Sequence, residues 1–199
     1  AGLLVAIPCT AWGLAHSTLI PPEVTAGPGP HMNFGSSILF DWLEALFSPH
    51  GTEAMVQPHP VGLAGWVGLL ITALNLIPAG QLDGGHTIYA LLGDYHRPIS
   101  RAVALLLLAM GFYTFDDGGL IWVVWAGLLA FFGLRHPPVL QPHTPLKRSE
   151  KFAGWLAIFL FILTFVPQPI RIEGLPESSE ITQPPAPQEK PHLPEEFDI

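Results

Sequence analysis

Long apolar runs alternate with short polar joints along this chain. The runs cover about residues 1–15, 61–77, 99–115, 119–134 and 152–166. Each run is somewhat shorter than the roughly 20 residues that span a bilayer, but their repetition favours helices that cross a membrane. The pattern therefore predicts an all-α polytopic membrane protein with about five transmembrane segments.

The amino-acid composition indicates the same class. Hydrophobic residues make up 49% of the chain, charged residues only 12%, and the mean hydropathy is +0.41. The net charge is -8, but seven of the sixteen acidic residues lie after Pro167, so this charge belongs mainly to the tail. We expect a multi-pass membrane protein with no nucleic-acid partner.

Two regions follow from these patterns. Residues 1–167 are predicted to form the transmembrane domain, and residues 168–199 a Pro/Glu-rich tail that cannot bury enough apolar surface to fold. The first run has no initiator methionine and no basic flank, so it is interpreted as the second part of a helix rather than a signal peptide. We therefore expect further helices before Ala1.

A long connection, residues 16–60, contains one segment with helical periodicity, SSILFDWLEALFS. Its polar residues recur on one helix face: Ser37, Asp41, Glu44 and Ser48. The remaining positions are aromatic or aliphatic. This pattern is typical of a helix that lies at a membrane surface.

The run 61–77 ends in NLIPAGQLDGGH, residues 75–86. Pro78 lacks a backbone donor and disfavours helical geometry at Ile77, so the helix is predicted to break there. The glycines that follow permit a tight non-helical path: Gly80, Gly84 and Gly85. We expect one transmembrane segment to be broken at this loop.

Asp83 lies inside the broken segment, and two interpretations stay open from the residues alone. Asp-Gly is a common turn pair, so at a surface this acid would have no function. Leu82 and the renewed apolar run TIYALL indicate instead that embedded chain flanks the loop. Irregular backbone at that depth requires protein or a water-filled cavity around it, and an acid there is a functional candidate.

The same stretch resembles the N-x-x-P-x-x-x-L-D-G motif of the site-2 protease family of intramembrane zinc metalloproteases. GQLDGGH and the preceding HPVGLAGWVGLLITAL are similar to the bacterial and chloroplast branch. The opening AGLLVAIP is similar to the helix that follows the family's catalytic helix. The convincing match covers residues 58–92. The resemblance implies part of a zinc metalloendopeptidase that performs regulated intramembrane proteolysis, with a bacterial cell membrane as the expected location.

The resemblance also implies roles for individual residues. In this family two histidines of H-E-x-x-H and the Asp of Leu-Asp-Gly bind Zn²⁺ and leave the fourth position to water. Asp83 matches that ligand. Asn75 resembles the family's Asn, whose amide could hold the substrate backbone or stabilise an oxyanion; capping of carbonyls freed near Pro78 is the alternative. His86 could support a ligand by a hydrogen bond, or it could be a boundary residue.

The chain departs from the family pattern because none of its nine histidines is followed by Glu, so H-E-x-x-H is absent. We expect the catalytic helix to precede Ala1, which makes this chain inactive alone and dependent on missing N-terminal helices. The expected partners are a transmembrane protein substrate and the lipid bilayer. One alternative is an inactive family member that acts as a membrane scaffold. Another is an ion-coupled transporter fragment, although no second P-x-x-x-x-D-G repeat is present.

Overall fold

The computed structural model describes residues 2–19, 31–49, 56–57, 59–115, 118–133 and 146–173. Helices dominate this part of the chain. They are α1 (Gly2–Ala15), α2 (Ile38–Phe47), α3 (Pro60–Asn75), α4 (Asp83–Leu92), α5 (His96–Tyr113), α6 (Leu120–Phe132) and α7 (Arg148–Thr164). The strands are β1 (Thr18–Leu19), β2 (His31–Phe34), β3 (Val56–Gln57) and β4 (Ile170–Glu173), and a 3₁₀ turn (Gly93–Tyr95) joins α4 to α5.

Each predicted apolar run contains a helix whose ends are set by local signals. Pro60 is favourable in the first turn of α3, and the His59 Nδ1 atom caps that turn by accepting a hydrogen bond from the Val61 amide at 3.2 Å. Gly133, with φ of 97°, follows the last residue of α6. The apolar pattern therefore located the helices.

The same helices fall short of what a membrane span requires. Within the described residues, no helix combines the length and the apolar character that a crossing requires. Helices α1, α3 and α6 contain 14, 16 and 13 residues, against the roughly 20 that a bilayer needs. Helix α5 contains 18 residues but includes Arg97 and Arg101. The prediction of a polytopic membrane protein with about five transmembrane segments is therefore wrong.

Two antiparallel ladders also correct the expectation of an all-α chain. β1 pairs with β3, and β2 pairs with β4 so that His31 lies opposite Glu173 and Phe34 opposite Ile170. These strands are two to four residues long and their partners are distant in sequence, so no alternating pattern marks them. β4 lies in the segment predicted to be disordered from residue 168, while residues 174–199 lie outside the described part of the chain.

Two tryptophan side chains attach this second ladder to the helices. The Trp66 indole N–H on α3 donates to the Gly35 carbonyl oxygen at 2.7 Å, just after β2. The Trp122 indole N–H on α6 donates to the Pro167 carbonyl oxygen at 2.6 Å, just before β4. Because buried indoles require an acceptor, these bonds fix the ladder against both helices.

Helices α1 and α3 pack along each other more extensively than any other pair of described elements. Gly62, Gly65 and Gly68 form one face of α3. A Cβ atom on Gly13 would overlap the Gly62 backbone, and one on Gly65 would overlap the Thr10 amide. The two helices therefore approach backbone to backbone, which requires glycine at the crossing.

The main core cluster lies between α5, α6 and the loop that follows α3. Ile77 and Ala79 of the loop are fully buried. They belong to a cluster with α5 and α6 side chains, namely Leu107, Trp122, Ala126 and Leu129. The broken segment is thus part of the core rather than an exposed connection.

Helix α2 forms in the segment with the predicted helical periodicity. The Ser37 side chain caps the helix by accepting the Phe40 amide at 3.2 Å. Leu43 is buried, whereas Trp42 and Leu46 are 56% and 76% exposed. Burial, with a smaller contribution from Asp41, raises the pKa of the half-buried Glu44 carboxyl above its ordinary value.

Gly13→Ala should destabilise the protein, because its methyl group would force α1 away from α3. We expect a loss of about 1 to 3 kcal/mol in the free energy of unfolding. Gly127→Ala on α6 is the matched control, since a Cβ atom there meets nothing within 4 Å. The control should be neutral or stabilised by up to about 1 kcal/mol. Denaturation followed by circular dichroism measures both, and equal stability of the two variants would contradict the packing argument.

Glu44→Gln should make stability less dependent on pH. The folded-state pKa of Glu44 lies above 4.5, so the folded protein holds this proton more tightly than the unfolded chain does. Stabilisation from Glu44 is therefore complete below about pH 4.5 and is lost as the pH rises through the folded-state pKa. Thermal midpoints from about pH 4 to about pH 8 should fall more steeply for the wild type than for Glu44→Gln. Parallel curves would show that Glu44 is not responsible.

Candidate functional site

A cleft of about 500 Å³ lies among α1, α3, α7 and the beginning of α4. Apolar and glycine residues form most of its lining, including Ala6, Ala64 and Leu160. Its polar side chains are few: Cys9, Thr72, Asn75 and Asp83. An apolar cavity of this size with a few converging polar groups has the character of a ligand site.

Asp83 is the first residue of α4, and its side chain is exposed towards the cleft. Leu82 precedes it in an extended conformation and ends the loop. The amide groups in the first turn of a helix carry partial positive charge, which stabilises a carboxylate at this position. The fold thus presents a carboxyl group at the cleft.

Asn75 reaches the same cleft from the other side of the loop. It is the last residue of α3, and its side chain is exposed. Among the residues that the structure describes, its amide caps no carbonyl; the Leu76 amide bonds the Thr72 and Ala73 carbonyls directly. His86 is exposed on α4 and is not among the residues that line the cleft.

The loop between Asn75 and Asp83 is a sequence of tight turns. The Ala79 amide donates to the Ile77 carbonyl oxygen at 2.7 Å, which forms a three-residue turn centred on Pro78. Gly80 then has φ of 60°, a conformation that favours glycine. These turns keep Ile77, Ala79 and Gly80 buried.

Two further glycines let α4 pack directly on that loop. A Cβ atom on Gly84 would overlap the Leu76 carbonyl group. One on Gly85 would overlap the carbonyl oxygen of Gly80 and crowd that of Ala79. The first turn of α4, including Asp83, is therefore placed by contact with loop backbone.

Two buried residues of α5 complete the site and were missed from sequence. The Gly80 amide donates to the Ser100 Oγ atom at 3.2 Å, and the His96 Nε2 atom lies 3.0 Å from the Gly80 carbonyl oxygen. Their i, i+4 spacing could have shown that His96 and Ser100 share a helix face. Their common partner, 16 and 20 residues away, leaves no local signal.

The zinc site predicted from the family resemblance is only partly accounted for by these residues. Within the described ranges, no three His, Cys, Asp or Glu side chains converge in a way that could hold a metal ion. The Asp83 carboxylate has the right chemistry for one zinc ligand, but a catalytic site needs three protein ligands. Any further ligands would have to come from outside the described residues.

Comparisons with known proteins give a consistent picture. The model of Peptidase family M50 matches residues 28–115. The chain is 33% identical over 123 residues to "Probable zinc metalloprotease EGY2, chloroplastic" of Arabidopsis thaliana, a match that covers 60% of this chain and 21% of that protein. It is 29% identical over 175 residues to "Probable zinc metalloprotease EGY1, chloroplastic" of the same plant, covering 84% and 30% respectively.

These matches cover a small part of each relative. The chain spans between about a fifth and a third of the length of these two relatives. No solved structure matches the chain. The names of the relatives place them in chloroplasts, and they give no support to the predicted bacterial cell membrane.

Proposed function

Since this chain belongs to peptidase family M50, the site-2 protease family, we propose that it forms one wall of the active site of a zinc metalloendopeptidase. The observation that carries the proposal is the shared cleft. Asn75 and Asp83 are separated by a broken, buried loop and still line the same cavity. A loop that only connected two helices would not need to hold both polar side chains at one opening.

Asp83 is the proposed zinc ligand of this chain. Its carboxylate is a hard oxygen donor that is open to the cleft, in keeping with the ligands zinc takes in hydrolytic sites. Zinc, when bound, would act as a Lewis acid that acidifies water and polarises the peptide carbonyl. The remaining ligands and the general base belong to parts of the protein outside the described residues.

Asn75 is proposed to bind the scissile segment of the substrate. Its amide offers two donors and one acceptor, and within the described residues no cap or turn occupies them. The donors suit a peptide carbonyl as its oxygen gains charge, and the acceptor suits a peptide N–H. In this proposal Asn75 orients the substrate and Asp83 binds the metal.

The lining of the cleft supports an apolar peptide as the substrate. Helices α1, α3 and α7 contribute mainly aliphatic side chains and glycine to the cavity. Such a surface binds an apolar segment by removing both surfaces from water, and Asp83 is the only charged side chain in the described lining of the cleft. The proposed substrates are therefore membrane-spanning proteins, cut within or beside their apolar segments.

A lipid surface is the second proposed partner. Large apolar side chains are exposed on several helices, with Leu4 of α1 82% exposed, Phe131 of α6 83% and Phe152 of α7 70%. Proteins that are surrounded by water alone rarely leave extensive apolar patches uncovered. Lipid contact would cover these side chains and would bring the cleft to its substrates.

Asp83→Asn should abolish cleavage by the intact protein and lower its zinc content, because a neutral amide is a much poorer zinc ligand than a carboxylate. We expect a loss of more than about 100-fold in activity. Asp94→Asn, which removes an exposed acid from the 3₁₀ turn, is the matched control and should behave as wild type. Cleavage of a transmembrane peptide in detergent and elemental analysis of zinc measure the two effects.

Undiminished cleavage by Asp83→Asn would reject the zinc-ligand assignment. A wild-type intact protein that holds stoichiometric zinc and cuts no transmembrane peptide would reject proteolysis and favour the scaffold alternative. The Asp94→Asn control separates either result from a general effect of lost negative charge.

A further inference from the structure

The buried pair His96 and Ser100 lies behind the candidate site and lines no part of the cleft. We propose that these two residues are positioning residues for Asp83: they hold both polar backbone groups of Gly80 and thereby fix the start of α4. The inference rests on the proposed function, because it assigns a purpose to the exact placement of the Asp83 carboxylate.

The hydrogen bonds to Gly80 are the first step of the argument. Ser100 is 0% and His96 is 1% exposed, and Gly80 is buried between them and the end of α6. A buried amide or carbonyl without a partner is costly, so these two side chains stabilise one conformation of the turn. That conformation has positive φ and would otherwise be one of several open to glycine.

The chemistry of the three groups assigns the histidine tautomer. The Gly80 carbonyl oxygen can only accept, so His96 Nε2, at 3.0 Å, must carry the proton. Ser100 Oγ accepts from the Gly80 amide at 3.2 Å and lies 3.3 Å from the same Nε2 atom. The two side chains therefore act on Gly80 as a pair.

Backbone contact transmits the position of Gly80 to Asp83. A Cβ atom on Gly85 would overlap the Gly80 carbonyl oxygen, the atom that His96 binds. The first turn of α4 therefore rests on the held peptide with no flexible side chain between them. A shift of the Gly80 carbonyl must move the start of α4, and Asp83 is the first residue of that helix.

Helix α5 is a suitable support because it belongs to the core. Leu107 of α5 packs in the same cluster as Trp122 and Ala126 of α6. Well-packed cores transmit displacement rather than absorb it. The geometry thus links the carboxylate at the cleft to the main core cluster of the described residues.

The test compares Ser100→Ala and His96→Leu with wild type in the intact zinc-loaded protein. Hydrogen exchange should become about tenfold faster at residues 79–85 and unchanged in the middle of α3. Loss of zinc to a chelator should also become about tenfold faster. For a transmembrane peptide, kcat should fall about tenfold while KM changes by less than about twofold, because the cleft wall is intact.

Two further variants test whether the effect comes from the His96 and Ser100 pair rather than from a damaged fold. His96→Gln retains an amide donor and should recover part of the kcat that His96→Leu loses, which also decides the matter if Ser100→Ala does not fold. Thr114→Ala removes a hydroxyl from the opposite end of α5, where its hydrogen bond among the described residues is donated to the Met110 carbonyl oxygen of the same helix at 2.8 Å. This control should leave kcat and zinc release unchanged.

Unchanged hydrogen exchange at residues 79–85 in both Ser100→Ala and His96→Leu would overturn the inference. Faster exchange with unchanged zinc release and unchanged kcat would overturn it too, since the turn would then be held for stability alone. An Asp83→Asn protein that keeps its zinc and activity would reject the proposed function itself. Hydrogen exchange measures the stability of the turn without depending on zinc or on cleavage, so the two failures are distinguishable.

Discussion

Direct contact between backbone segments is the constraint around which this structure is built. α1 meets α3 at Gly13 and Gly62, and α4 meets the loop before it at Gly84 and Gly85. At these points a single methyl group would separate the elements. Close approach removes side-chain freedom from the contact, so the relative positions of these elements depend on backbone geometry. The cleft between α1, α3 and α4 takes its shape from these contacts.

The buried loop of the broken segment needs hydrogen-bond partners for its backbone. A loop inside a core must have partners for its polar backbone groups, since water cannot reach them. Here the partners are local at Pro78, where Ala79 bonds Ile77, and distant at Gly80, where His96 and Ser100 of α5 supply both bonds. The buried loop and the buried polar pair are therefore two parts of one arrangement.

The polar groups of the cleft include the two residues that flank the buried loop. Asn75 is the last residue of α3 and Asp83 is the first residue of α4, so an amide and a carboxylate lie on either side of the same loop. The proposed metalloprotease function would give each of these two side chains a role in one reaction. The apolar lining of the cleft supports the proposed apolar peptide substrate, and the exposed apolar side chains support the proposed contact with lipid.

The sequence by itself determined the positions of the helices and the family. Apolar runs and their Pro or Gly boundaries are local features, and the spacing from Asn75 to Gly84 is a local motif. The prediction that those helices cross a membrane was wrong, because an apolar run does not show how many of its residues are helical. The strands were missed because β2 pairs with β4 across about 140 residues. Only the tertiary structure joined His96 and Ser100 to Gly80, since a buried hydrogen bond between distant segments leaves no periodicity in either of them.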